Sequence, residues 1–143
     1  MTRKLFLIAR IAGRSVAIDS EQVESVVDIG VITPVPRAHP AVRGLAALRS
    51  RVVTVINTCV ALGSAPVERP SGRAVITCAD GHHYAVLVEA LEDVAEYDIA
   101  PLSGGIGIEG GWARSACGMV DRDGDPLLAI NLRALLPGVA QAA

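Results

Sequence analysis

Apolar residues in this chain fall into short runs broken by glycine turns, and one arrangement recurs three times: an apolar run, a tight turn and a second apolar run. The copies are LFLIARIA-G-RSVAI (Leu5–Ile18), AVITCA-DG-HHYAVLV (Ala74–Val88) and ACGMVDR-DG-DPLLAIN (Ala116–Asn131). Asp-Gly between apolar runs is a strong hairpin signal, because glycine tolerates the positive φ of a primed turn. The runs are more apolar than strict in–out alternation would make them. That suits strands covered on both faces, as in a small closed barrel or two barrels packed together. The three hairpins share this pattern but not their sequences, so no repeat array is indicated.

Shorter features lie between the hairpins. Asp19-Ser20-Glu21-Gln22-Val23 predicts a short helical turn with Asp19 or Ser20 as its N-cap. Strand character returns at Val26–Ile29. Thr33–Pro40 contains three prolines and reads as an extended loop, since each proline restricts itself and its predecessor. Arg51–Ile56 is a strand followed by a helical turn ending at Gly63. Ser64–Gly72 reads as a surface loop, Ser103–Gly111 as a mobile glycine-dense one, and Leu132–Leu136 as a closing short helix. Val139–Ala143 is expected to fray.

Composition sharpens the fold class. Eighteen valines and eleven isoleucines against four aromatic residues predict mostly β structure with an aliphatic core. Sandwich, single barrel and paired barrels all satisfy that pattern. A net charge of -2 gives no global attraction to nucleic acid or anionic lipid. The apolar stretch Leu5–Ala9 is too short for a signal peptide and ends at Arg10, and no run approaches a membrane span. Cys59, Cys78 and Cys117 form no CxxC and each sits in an apolar run, where a free cysteine behaves as a small buried hydrophobe. A disulfide framework is not indicated, and the chain reads as cytoplasmic.

Catalytic signals are poor. His82 and His83 follow Asp80-Gly81 at a hairpin tip, where polar side chains are expected for solvation alone; a metal site would need Cys78 and Asp80 as further ligands. No cysteine has a basic neighbour that would activate it. Asp121, Asp123 and Asp125 resemble part of a calcium loop but lack the terminal bidentate glutamate, so turn chemistry explains them better. Gly104–Gly107 precedes neither a helix nor Gly-Lys-Ser/Thr, so it is no phosphate cradle. No catalytic residue, cofactor or metal is expected. The unusual segment is Val42–Arg51, in which Arg43, Arg49 and Arg51 stand among small aliphatic residues. It is either a solvated loop whose arginines lie over the core or a protein-binding surface.

That segment, HPAVRGLAALRSRVVTVINTCVALG, resembles the signature stretch (here approximately residues 42–63) of CheW-like domains, the coupling module of bacterial chemotaxis. The family pattern runs approximately Val-Arg/Lys-Gly, then Asn-Leu-Arg-Gly, then Val-x-x-Val-Ile/Val-Asp-Leu. FLIARIAGRSVAIDSEQVESVV, TPVP, GRAVITCADGHHYAVLVEALEDV and CGMVDRDGDPLLAINLRALL are similar to the family's other segments, in order, so the resemblance treats residues 1–143 as a single domain. It implies two small five-stranded SH3-like barrels packed together, and a non-catalytic adaptor without cofactors. The implied partners are the cytoplasmic tips of methyl-accepting chemoreceptors and the regulatory domain of a CheA-type histidine kinase, with no nucleic acid and no membrane insertion. By position, partner contacts would fall on Val23, Arg43, Gly44, Leu48 and Arg49, with kinase contacts at exposed barrel ends. The chain departs from the pattern at Ala47, Ser50, Asn57 and Thr58, and also at Ser25, Ala85 and Glu89. Alternative readings are a small-molecule-binding β-barrel, a metal site on Cys78, His82 and His83, or a regulatory scaffold of another two-component system.

Overall fold

The computed structural model describes residues 3–63, 72–102 and 110–137. Each expected hairpin forms. β1 (Arg3–Ile11) turns at Ala12-Gly13 into β2 (Arg14–Asp19), β6 (Arg73–Ala79) turns at Asp80-Gly81 into β7 (His82–Leu87), and β9 (Ala116–Arg122) turns at Asp123-Gly124 into β10 (Asp125–Ile130). All six turn residues have positive φ, between 51° and 89°, as a primed turn demands. Asp121 accepts the Gly124 amide at 2.8 Å, which is turn chemistry as expected for this acidic group.

The intervening features also form. Asp19 caps a 3-10 turn at Ser20–Gln22 and leads into β3 (Ser25–Asp28). β5 (Arg51–Ile56) is followed by helix α1 (Thr58–Ala61), capped by Asn57, and β10 is followed by a 3-10 turn at Leu132–Leu135. Three departures stand out. The arginine segment is the strand β4 (Val42–Leu48), paired to β5 in a fourth hairpin, and not a loop. Ala90–Ala100 forms β8, the longest strand among the described residues, although Glu92-Asp93 interrupts the alternation near its start. Gly110–Ser115 forms helix α2, so only residues 103–109 of the expected glycine-dense loop remain, and they lie outside the described residues. So do residues 64–71 of the expected surface loop and the expected frayed end at 139–143.

The strands assemble into two five-stranded sheets. One closes into a barrel in the order β1-β2-β10-β9-β8, and the other runs β3-β6-β7-β5-β4. This is the expected architecture of two packed SH3-like subdomains with short helices. Two parallel pairings, β2 with β10 and β5 with β7, occupy equivalent places in the two orders.

Alternate residues along the central strands serve different cores. Phe6, Ile8, Ala17 and Ala129 fill the barrel, while Ala74, Ile76, Ala85 and Leu87 line the second sheet's inner face. Leu7, Ala9, Val16, Ile18 and Ile130 instead meet Val75, Val86 and Ile56 in a third core between the sheets. The unbroken apolar runs follow from this burial of both faces. Fully burying one such aliphatic side chain is worth roughly 1.5–3 kcal/mol.

The halves correspond strand for strand, although their sequences do not repeat. β8-β1-β2-β10-β9 maps onto β3-β6-β7-β5-β4. Asn57 and Asn131 hold matching positions after β5 and β10; their amides donate to the Ala41 and Ser115 carbonyls, each at 2.7 Å. Gly44 of β4 and Gly118 of β9 also match. A Cβ at Gly44 would overlap the Thr33 carbonyl oxygen and Ile32 Cγ2, and one at Gly118 would press on Ile99 and the Ala100 carbonyl oxygen. Each half is therefore closed where a strand runs directly over a glycine: Ala100 pairs with Met119, and Thr33 with Leu45.

The cysteines divide. Cys59 is buried as expected, but Cys78 and Cys117 are exposed, because their positions on β6 and β9 leave them at the outer surface. Burial, then the Glu89 carboxylate, pushes the Cys59 thiol above its ordinary range. Cys117 is exposed, but its sulfur is partly shielded against the Ala129 carbonyl, and this desolvation followed by the Asp19 charge does the same for it. Neither environment favours a nucleophilic thiolate.

Candidate protein-docking groove

Beyond the Thr33–Leu45 bridge, β3 and the end of β4 do not pair, and the gap between them is a groove of about 450 Å³. Val26, Val27, Leu48 and Ile76 supply apolar lining, while Glu24, Ser25, Arg49 and Arg51 add polar groups. Arg49 stands at the tip of the β4–β5 hairpin with φ 49°, followed by Ser50 at φ 68°. Both occupy left-handed backbone, and Ser50 does so where the family pattern has glycine. No described residue forms an ion pair with the Arg49 guanidinium.

Glu24 organises the groove's edge. Its carboxylate lies 3.3 Å from Arg51 Nη1 and 3.0 Å from His83 Nε2. Arg51 Nη1 is also 2.7 Å from that ring nitrogen. A bare Nε2 accepts from Arg51, and a protonated one donates to Glu24, so either tautomer keeps the cluster joined. The ion pair is about half exposed, so it is worth only tenths of a kcal/mol and acts mainly to position these side chains. Glu24 also borders a second groove of about 440 Å³, which includes Val23, Gln22, Thr77, Cys78 and Arg133.

The five sequence-predicted contact residues therefore separate. Leu48 and Arg49 share the first groove, and Val23 lines the second, joined to it through Glu24. Arg43 is exposed at a register shift in β4 and lines neither groove, while Gly44 is buried and serves closure. Sequence reasoning missed Glu24, and it weighed His83 only as a solvated turn residue or a metal ligand. Their signal is faint, since Glu24 lies just ahead of β3 and His83 at the start of β7, and only the sheet order brings them together. Among the described residues, no three His, Cys, Asp or Glu side chains converge to hold a metal ion, so Cys78, His82 and His83 do not form the alternative site. No described helix is long and apolar enough to cross a membrane.

Comparison with known proteins gives a consistent result. The structure is similar to that of the scaffolding protein TtCheW from Thermoanaerobacter tengcongensis, with a TM-score of 0.81 and 22% identity over 95% of this chain and 94% of that one. No curated protein sequence matches the chain significantly. The family model for the CheW-like domain matches residues 5–140, nearly the whole length. With the twin five-stranded sheets and the shared core between them, that match decides the assignment: the chain belongs to the CheW-like domain family.

Proposed function

We propose that the chain is a non-catalytic adaptor of bacterial chemotaxis, working in the cytoplasm at membrane-associated receptor arrays. It couples the cytoplasmic tips of chemoreceptors to the regulatory domain of a CheA-type histidine kinase. The observation that carries this reading is the open gap between β3 and β4, an apolar groove whose exposed rim arginine, Arg49, has no acidic partner among the described residues. Family membership supplies the partner class. An apolar contact with a directional guanidinium at its edge suits weak, reversible protein binding. Multivalent assembly in an array raises the effective affinity of such contacts.

The receptor tip occupies the groove and meets Leu48 and Arg49, with Val23 contributing from the adjoining groove. The kinase takes another surface, at an exposed barrel end, so one chain holds both partners at once. Arg49→Glu reverses the rim charge and leaves the apolar lining intact. In a pull-down with receptor tip and kinase regulatory domain, the variant is expected to lose receptor binding by about tenfold and keep the kinase. Circular dichroism checks that the fold is retained. Unchanged receptor capture by the folded variant overturns the assignment of the groove.

A further inference from the structure

The Glu24–Arg51–His83 cluster turns on a single ring nitrogen. Arg51 Nη1 lies 2.7 Å from His83 Nε2, and Glu24 Oε2 lies 3.0 Å from the same atom. A bare Nε2 accepts from the guanidinium and offers the carboxylate nothing. A protonated one donates to the carboxylate, has no lone pair left for the guanidinium, and leaves two cations in direct contact. The ring can therefore hold only one of its two neighbours at a time.

The three groups differ in their freedom to move. Glu24 is pinned, since its amide donates to the Ile76 carbonyl of β6 at 2.8 Å. His83 lies near the start of β7, between β6 and β5, and its side chain is 20% exposed. Arg51 opens β5 beside the left-handed Arg49-Ser50 turn, and its side chain is 51% exposed. Without the ring, it keeps a contact of 3.3 Å to Glu24 Oε1, an exposed pair that holds weakly. Arg51 is thus the member that yields. Around the ring, β6 contributes Cys78, its register partner, and the β6–β7 turn contributes Asp80, which pairs with Arg133 at 3.4 Å. His82 precedes it and is exposed, and Arg49 lines the same groove as Glu24 and Arg51.

We propose that His83 is a positioning residue for docking in the first groove: the neutral ring ties Arg51 back at the groove's edge, and the protonated ring releases it to the occupant. The inference rests on the reading of that groove as the receptor-tip site. Once released, Arg51 joins Arg49, which has no ion pair with any described residue, on the same lining. Two available guanidinium groups suit an acidic partner, since each can fork onto a carboxylate. The docked segment of the receptor tip is therefore acidic. It binds more tightly on acidification through the range in which an imidazole gains its proton, while Asp and Glu stay charged. Docking strength then follows pH through one side chain.

Two measurements separate the tether from the groove. On the chain alone, NMR follows the His83 ring nitrogens and the Arg51 side-chain N–H groups from about pH 8.5 to about pH 6. The Arg51 signals are expected to lose order in step with protonation of His83. In His83→Gln, whose amide can donate and accept but does not titrate, they should show no such change. Binding of a receptor-tip fragment, read by isothermal titration calorimetry, is expected to strengthen about three- to tenfold over the same range. His83→Gln should flatten that rise, and His82→Gln should keep it. His83→Lys, permanently charged, should bind at least about threefold more tightly than His83→Gln at about pH 8.5. Circular dichroism checks that each variant is folded. Arg51 order that ignores His83 protonation overturns the proposal, as does a rise that survives in His83→Gln or is absent from the wild type. A tip that fails to bind at any pH sinks the groove reading instead, and the Arg51 signals still judge the tether.

Discussion

At corresponding positions, Glu92 and Glu24 each precede the stretch of strand that must close their half, yet they hold different neighbours. Glu92 accepts from the Ser15 hydroxyl at 2.5 Å and pairs at 3.1 Å with Arg122 of β9, which also reaches Asp125 at 3.6 Å. Glu24 meets His83 and Arg51, the counterparts of Ser15 and Asp125. Leu48 stands where Arg122 would be. The first seam is thus spanned by an arginine from the closing strand, and two rungs of ladder hold it, Ile99 with Val120 and Ala100 with Met119. In the second seam the arginine has moved to β5, a leucine lines the gap, and a single bridge at Thr33 closes it. One fold carried out twice gives a latched seam and an open one, and the difference lies in a few side chains.

Five variants break or sharpen this comparison. The largest effect is expected at the closing glycines. Gly44→Ala forces a Cβ into the Thr33 carbonyl at a φ of 152° and should cost about 2–4 kcal/mol in denaturant unfolding. Gly118→Ala should cost less, because part of its clash is with the Ile99 side chain, which can shift. Leu48→Arg rebuilds the first seam's latch in the second, bringing a guanidinium to Glu24. Receptor-tip affinity should fall about tenfold, or 1.4 kcal/mol, with stability nearly unchanged, as seen in parallel pull-down and thermal melts.

Smaller still is Ser50→Gly, which relieves left-handed backbone at φ 68° but loosens the unfolded chain. A net gain of about 0.5–1 kcal/mol in chemical unfolding is expected. The smallest effect concerns pH. Hydrogen bonding from Ser15 holds the Glu92 carboxyl below the ordinary carboxylate range; burial opposes it, and the Arg122 guanidinium adds to the lowering. A carboxyl lowered by folding stabilises the protein above its unfolded value, and that stabilisation is lost as pH falls through the lowered one. Ser15→Ala combined with Arg122→Leu should lower the melting temperature slightly at neutral pH. Below about pH 4 the difference from wild type should fade. A gap that persists in acid would assign the effect to packing.

Much of this could be read from the chain before its shape. Three hairpins are legible because Gly13, Gly81 and Gly124 mark turns between apolar runs, and the dryness of those runs anticipates burial on both faces. The fourth hairpin is hidden, since Arg49-Ser50 takes the left-handed turn without a glycine to mark it. β8 is hidden differently: its inner residues Ala95, Tyr97 and Ile99 alternate with charges, and most of its outer edge has no strand partner. Of the candidate contact residues, Leu48 and Arg49 come together because they are adjacent in one turn. The Glu24–Arg51–His83 cluster depends on pairing across the sheet, which spacing along the chain does not encode. The correspondence of the halves was equally invisible, because it resides in hydrogen-bond register and not in residue identity.

The dry layer between the sheets has a mechanical consequence. β3 to β7 form one continuous stretch spliced into the barrel, crossing only at 19–25 and 87–90, and an aliphatic core is shared between the two sheets. A dry, close-packed layer of this kind disfavours relative movement of the two halves. In the adaptor role proposed above, a molecule gripping one end would fix the orientation of whatever is held at the other, so that the signal would be one of angle and distance.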